Sequence, residues 1–342
     1  MSTSPSTAPA VVVAGERSVD DRNGVLYGIF AYGAWGLFPL FWVLLKPAGA
    51  LEVLANRVVW SLGTVLAILW LVPRVAHLVR RRAGDTASTA RRGQPALRAV
   101  LRDRKKFALL VLAAVVVSVN WLVFIWGVNH GHVVEVSLGY FINPLVTVTA
   151  GVLVLGERLR VAQWCAVGLG AVAVVVLTIG YGQPPWLALS LALSFGTYGL
   201  IKKYVGVGAT ESLTVETAVL FVPALAYVVV LEATGRGTLF SEGPGHAVLL
   251  AAGGVITVVP LLAFGAAANR VPLSLLGLMQ YMTPVLQLTI GVLVFEEHMP
   301  AARWFGFAVV WAALVVLTWD GLRAGRRRAA DRTAALAPCE PT

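Results

Sequence analysis

Ten stretches of about 20 predominantly apolar residues follow one another along this chain with only short interruptions, and each is long enough to cross a bilayer as a helix. They cover 24 to 45, 52 to 73, 107 to 127, 133 to 155, 161 to 180, 185 to 204, 213 to 232, 246 to 267, 272 to 295 and 301 to 320. The 342 residues are 58% hydrophobic and 13% charged, against roughly 25% charged in a soluble domain, and the mean hydropathy is +0.79. These features predict an all-α, polytopic membrane protein with ten transmembrane helices. Val11 to Val13 is too short for a signal-peptide core, so the first run is expected to be a retained helix.

The stretch from Ser137 to Thr178 returns 140 residues later without a gap. Pro144 meets Pro284, Gly151 meets Gly291, Glu157 meets Glu297, Trp164 meets Trp304, and Leu177-Thr178 meets Leu317-Thr318. Upstream, Asn129 meets Asn269. Such a register points to internal duplication. The matched runs lie five helices apart, and an odd spacing inverts the second copy. The first helix of each half agrees weakly, Gly33-Ala34-Trp35-Gly36-Leu37 resembling Gly196-Thr197-Tyr198-Gly199-Leu200. The expected organisation is an N-terminal tail (1–23), a five-helix repeat (24–180), an inverted five-helix repeat (185–320) and a basic tail (321–342). Inverted repeats place a site near the midplane between the halves and expose it alternately by rocking.

The net charge of +10 reports topology. With the N-terminus in the cytoplasm, 23 of the 27 Lys and Arg residues fall on the inside, and only Lys46 and Arg236 lie in outside loops. Both termini are therefore expected to be cytoplasmic. The segment 74–106 reads as one long basic cytoplasmic loop touching anionic lipid, and the tail after Asp320 reads as disordered. No aromatic interleaving or groove-reading motif accompanies the positive charge, so nucleic acid is not an expected partner. Cys165 and Cys339 do not suggest a disulfide or a metal cluster. His130-Gly131-His132 and Glu296-Glu297-His298 lack further ligands nearby, so no metal or other cofactor is expected.

Polar groups inside apolar runs are the candidate functional residues, because hydrocarbon penalises them unless they pair or face water. Tyr140, Asn143 and Thr147 share one helical face, and Gln280, Thr283 and Gln287 occupy the same places in the second copy. Asn56 and Arg57 either line the central cavity or form a structural contact, and Asn120 is a further cavity candidate. Asn129 reads more simply as a turn cap. Glu135 and Glu216 either exchange a proton or lie at the interface. Lys202, with Lys203, either anchors the helix end or attracts an anionic substrate. Pro144 and Pro284 each remove a helical hydrogen bond and are expected to serve as hinges. No Gly-Lys pair exists for a phosphate-binding loop, and HExxH and GxSxG are missing, so an ATP-driven pump or a hydrolase of those types is not expected.

SLGYFINPL with the following GERL, the earlier ANRVVWS, the later SFGTYGLIKK and QYMTP resemble the RarD branch of the EamA-type drug/metabolite transporters over all ten runs. The resemblance implies an inner-membrane carrier of two inverted five-helix halves around a central cavity. By matching positions it extends candidacy to Asn56, Arg57, Glu135, Tyr140, Asn143, Tyr198, Lys202, Gln280 and Tyr281. That branch often has His where this chain has Asn56, so any proton-carrying role there would be lost or moved. It also implies a historical link to chloramphenicol sensitivity, which says little about substrate.

The reading is a secondary transporter exporting a small polar or amphipathic metabolite or drug by alternating access. Tyr140, Asn143, Gln280 and Thr283 line its cavity, with Trp35 and Tyr198 as aromatic walls. The alternative is a membrane scaffold or channel without alternating access. The expected partners are a small-molecule substrate and the lipid bilayer, with homodimerisation left open.

Overall fold

The computed structural model describes residues 14–83, 100–155, 159–207, 209–268, 270–271 and 273–336. Among these the regular elements are helices: α1 (Ala14–Val43), α2 (Ala50–Ala83), α3 (Arg104–Asn129), α4 (Val133–Leu155), α5 (Val161–Tyr181) and α6 (Trp186–Val205). They continue with α7 (Ala209–Ala233), α8 (Pro244–Ala268), α9 (Leu273–Met279), α10 (Met282–Leu293) and α11 (Ala301–Leu336). All ten apolar runs fall on this series, the ninth being divided between α9 and α10. Among the described residues eight spans are long and apolar enough to cross a membrane, and Trp186–Lys202 and Met282–Leu293 are shorter apolar helices. Leu153, Val161 and Ile179 stand 79%, 80% and 77% exposed on the outside. A surface of that kind suits hydrocarbon, where burying apolar side chains gains nothing.

Several helices outrun their apolar segments. α2 continues to Ala83, so the expected loop at 74–106 begins as helix; residues 84–99 lie outside the described residues. α11 likewise continues to Leu336, correcting the expectation of a disordered tail from Asp320. Both extensions are rich in Ala, Leu and Arg, which lose little side-chain freedom in a helix. α3 starts sharply because the Asp103 carboxylate accepts from Lys105 N and Lys106 N, each at 3.1 Å.

The two prolines expected as equivalent hinges differ. Pro144 lies within the continuous helix α4, whereas Pro284 sits in the first turn of α10, directly after a break. Pro284 has no N–H for the carbonyl of Gln280, and Tyr281 N turns back to Leu278 O at 3.3 Å. The helix therefore stops where that carbonyl is freed.

Packing interleaves the two parts of the chain. α1 lies on α8 and α10, and α6 lies on α3 and α4. α2 packs on α7 and α8, α3 on α7, α4 on α10, and α5 on α11. One buried core gathers Trp42, Val53, Phe124, Ile125, Leu191 and Leu250; a second gathers Leu138, Phe141, Leu177, Ala188 and Phe307.

Candidate functional site

The α2–α8 crossing positions the most unusual side chain in the fold. A Cβ on Gly254 would lie 2.3 Å from the Trp60 carbonyl carbon and 2.5 Å from its oxygen, so only glycine lets the two backbones meet here. Thr257, three residues along the same face of α8, then reaches Arg57 of α2. Arg57 Nε donates to Thr257 Oγ1 at 2.8 Å, while that hydroxyl donates to Gly253 O at 2.7 Å. The guanidinium carbon lies 4.2 Å from the Trp121 ring centroid, 5.4 Å from Trp42 and 5.9 Å from Phe38. Tyr140 is near enough to interact with it electrostatically.

Arg57 is 5% exposed, yet among the described residues no carboxylate stands within 4.0 Å of it. Glu52, one turn earlier on α2, is occupied elsewhere. Its carboxylate accepts from Thr238 N at 2.6 Å and Thr238 Oγ1 at 2.9 Å, and that hydroxyl also meets His246 Nε2 at 2.9 Å. Desolvating a charge costs several kcal/mol, and cation–π contacts return about 2 kcal/mol at a dry site.

Several amide side chains have a buried carbonyl oxygen to spare. Asn56 donates to Glu52 O at 3.1 Å. Asn120 joins α3 to α6 through Leu191 O at 3.0 Å and Ser194 Oγ at 2.9 Å. Gln287 reaches from α10 to Trp35 O at 3.3 Å. The side-chain carbonyls of Asn56, Asn120, Asn143 and Gln287 are all buried without a hydrogen-bond partner. Thr283 differs, since its hydroxyl is spent on Tyr32 O at 2.8 Å. Aromatic walls continue the layer: Trp35 meets Tyr32 and Phe264 at 5.4 and 5.6 Å, and Tyr140 lies between Phe124 at 5.9 Å and Phe195 at 6.5 Å. Tyr281 packs instead in the second core, with the side chains of Thr318 and Gln280 in hydrogen-bonding reach.

A second polar cluster lies near the α6–α7 turn. Lys202 Nζ is 2.7 Å from Glu216 Oε1 and also donates to Ser212 Oγ. Tyr198 donates to Glu216 Oε2 at 3.0 Å, and Ser212 to Oε1 at 2.6 Å. Lys202 is thus an ion-pair partner in this conformation, where the sequence left open a helix-end anchor or a charge attracting an anionic substrate.

Two other carboxylates cap helices from a distance. Glu135 accepts from Leu187 N at 3.1 Å at the start of α6. Glu297 accepts from Val133 N at 2.5 Å and Val134 N at 2.9 Å at the start of α4. Helix N-termini present free N–H groups and a partial positive charge, which suits both contacts. Burial pushes the Glu297 carboxyl above the usual range, against the pull of the Val134 and Val133 N–H groups and Arg303. Its repeat counterpart Glu157 lies outside the described residues, as does Asn269. Asn129, expected as a turn cap, is the last residue of α3, with His130 following as C-cap, and its side-chain oxygen has no hydrogen-bond partner.

A cavity of about 580 Å³ opens beside Glu52, Trp126, Trp186, Tyr227, Arg236 and Thr238. None of the expected site residues lines it, although Glu52 is one turn from Asn56 and Leu122 adjoins Trp121. Sequence reasoning missed Thr257, Trp42 and Phe38 as neighbours of Arg57. For Thr257 a signal existed, as the lone hydroxyl residue in the run 246–267.

No protein-family model matches the chain. It is 59% identical over 319 residues to the protein RarD of Streptomyces exfoliatus, covering 93% of this chain and 95% of that one. The chain belongs to the RarD family of drug/metabolite transporters. Within the RarD family's relatives, an uncharacterized transporter of Vibrio cholerae is 40% identical over 306 residues, covering 90% of this chain and 95% of the other. A solved crystal structure of a protein covers 88% of this chain and 98% of its own at a TM-score of 0.50 and 17% identity, a likeness of fold alone.

Proposed function

We propose that this RarD-family protein is a secondary transporter of the bacterial inner membrane, exporting a small polar or amphipathic solute by alternating access. The observation that carries this reading is the buried layer joining the two halves. Arg57–Thr257, Thr283–Tyr32 and Gln287–Trp35 all link residues before 180 to residues after 185. Buried acceptors left over in the same layer are the groups a polar substrate would complete.

The packing supports an exchange between halves. Replacing α1 by α6, α2 by α7, α3 by α8, α4 by the α9–α10 pair and α5 by α11 exchanges the most extensive helix contacts among themselves: α1 on α8 becomes α6 on α3, and α2 on α8 becomes α7 on α3. A duplicated and inverted chain has this property, and it allows one half to rock against the other. The distribution of Lys and Arg supports cytoplasmic termini. In this mechanism Tyr140, Asn143 and Gln287 meet the solute, Trp35 and Trp121 form walls, and the break before Pro284 supplies flexure.

Counterflow tests the reading. Purified protein in liposomes preloaded with unlabelled amino acids, nucleosides or amphipathic drugs should take up the labelled compound transiently and saturably only when matching cargo is inside. Uptake through folded protein that is indifferent to internal cargo would instead favour a channel.

A further inference from the structure

The Arg57 guanidinium is a buried cation whose bonding is unfinished. It carries five N–H donors, of which Nε alone has a hydrogen bond, to Thr257, leaving four. Arginine does not escape burial by losing its proton, so the charge persists. Ion pairs in the interior normally bring a carboxylate, yet Glu52 is held by Thr238 and Glu216 by Lys202. Trp121, Trp42 and Phe38 offer π faces but no hydrogen-bond acceptors in the guanidinium plane.

We propose that Arg57 anchors an anionic group, foremost a carboxylate, on an amphipathic substrate whose apolar body lies among these rings. This deepens the transport reading and rests on it. A planar carboxylate accepts two parallel bonds from one guanidinium, which fits the donors left over. The ligand then completes a charge balance that the protein leaves open. Cationic amphiphiles meet repulsion at the same point, and neutral solutes forfeit the ion pair. Spare amide oxygens on Asn56, Asn143 and Gln287 accept hydrogen bonds from amide or amine groups elsewhere on the solute.

The test uses the purified full chain in detergent and two pairs of probes matched in shape: phenylacetate with phenylacetamide, and N-acetylleucine with N-acetylleucinamide. Scanning calorimetry should show saturable stabilisation by each acid and at least about tenfold weaker apparent binding of each amide, tenfold being about 1.4 kcal/mol. Arg57→Gln should abolish that difference. Arg57→Lys, which keeps the charge and loses the fork, should weaken acid binding while preserving the preference. Trp121→Leu should weaken acid and amide alike. Equal binding of acid and amide, stabilisation by neither acid, or a preference that survives Arg57→Gln would overturn the assignment. Counterflow with the same probes separates this from the transport reading. Acid binding without counterflow keeps the anion site and removes the carrier; counterflow confined to uncharged cargo keeps the carrier and removes the anion site.

Discussion

Lys202 Nζ and Glu216 Oε1 lie 2.7 Å apart, joining α6 to α7, with side chains 24% and 4% exposed. Ser212 and Tyr198 complete the carboxylate's bonding. Breaking such a pair strands one charge, which is worse than removing both. Lys202→Met and Glu216→Gln should therefore each cost about 3 kcal/mol, and the double variant should be more stable than either single. A double-mutant cycle on denaturant unfolding measures the coupling. Simple addition of the two losses would mean that the charges act independently.

Gly254 provides a steric test of the site's construction. Gly254→Ala places a methyl 2.3 Å from the Trp60 carbonyl carbon, and backbone cannot rotate away as a side chain can. α2 and α8 must separate, at a cost of about 1–3 kcal/mol, and Thr257 then withdraws from Arg57. Gly265→Ala in the same helix meets nothing within 4 Å and should change stability by less than about 0.5 kcal/mol. Comparing the melting temperatures of the two variants checks this: helix propensity favours Ala over Gly at both positions, so equal effects would mean that the approach to Trp60 costs nothing.

The ten helical positions were legible because apolar length at bilayer scale is a local property of sequence. Helix ends were not: hydrogen bonding carries α2 and α11 past the apolar boundary, and hydropathy has no knowledge of that. The polar residues singled out in apolar runs at Asn56, Arg57, Asn120, Glu135, Glu216 and Thr283 are buried, including Glu135 and Glu216, for which the sequence left an interfacial position open. Their partners were hidden, since Arg57 meets Thr257 across 200 residues and Glu297 meets Val133 across 164. Lys202 shows the same limit at shorter range, because its charge alone does not reveal that Glu216 stands opposite. Tyr281 shared a stretch with Gln280 and Thr283, but the break before α10 turns it toward Thr318.

Glu297 gives a pH-dependent prediction with a definite sign. Burial is the largest influence on its carboxyl and raises its pKa; Val134 N, Val133 N and Arg303 oppose this, and Glu135 adds to it. The folded chain thus holds the proton more tightly than the unfolded chain, whose value is about 4.3. The resulting stabilisation is full below the unfolded value and is lost as pH rises through the raised folded value. Glu297→Gln does not titrate and retains an acceptor for a Val133 or Val134 N–H. The melting temperature of the unmodified protein minus that of Glu297→Gln should therefore fall as pH rises above the unfolded value of about 4.3 and level off once the raised folded value is passed. In a Glu135→Gln background the fall should move to lower pH, because the neighbouring negative charge is gone. A difference that grows with pH would mean that the two backbone donors and Arg303 outweigh burial, making Glu297 a fully ionised helix cap.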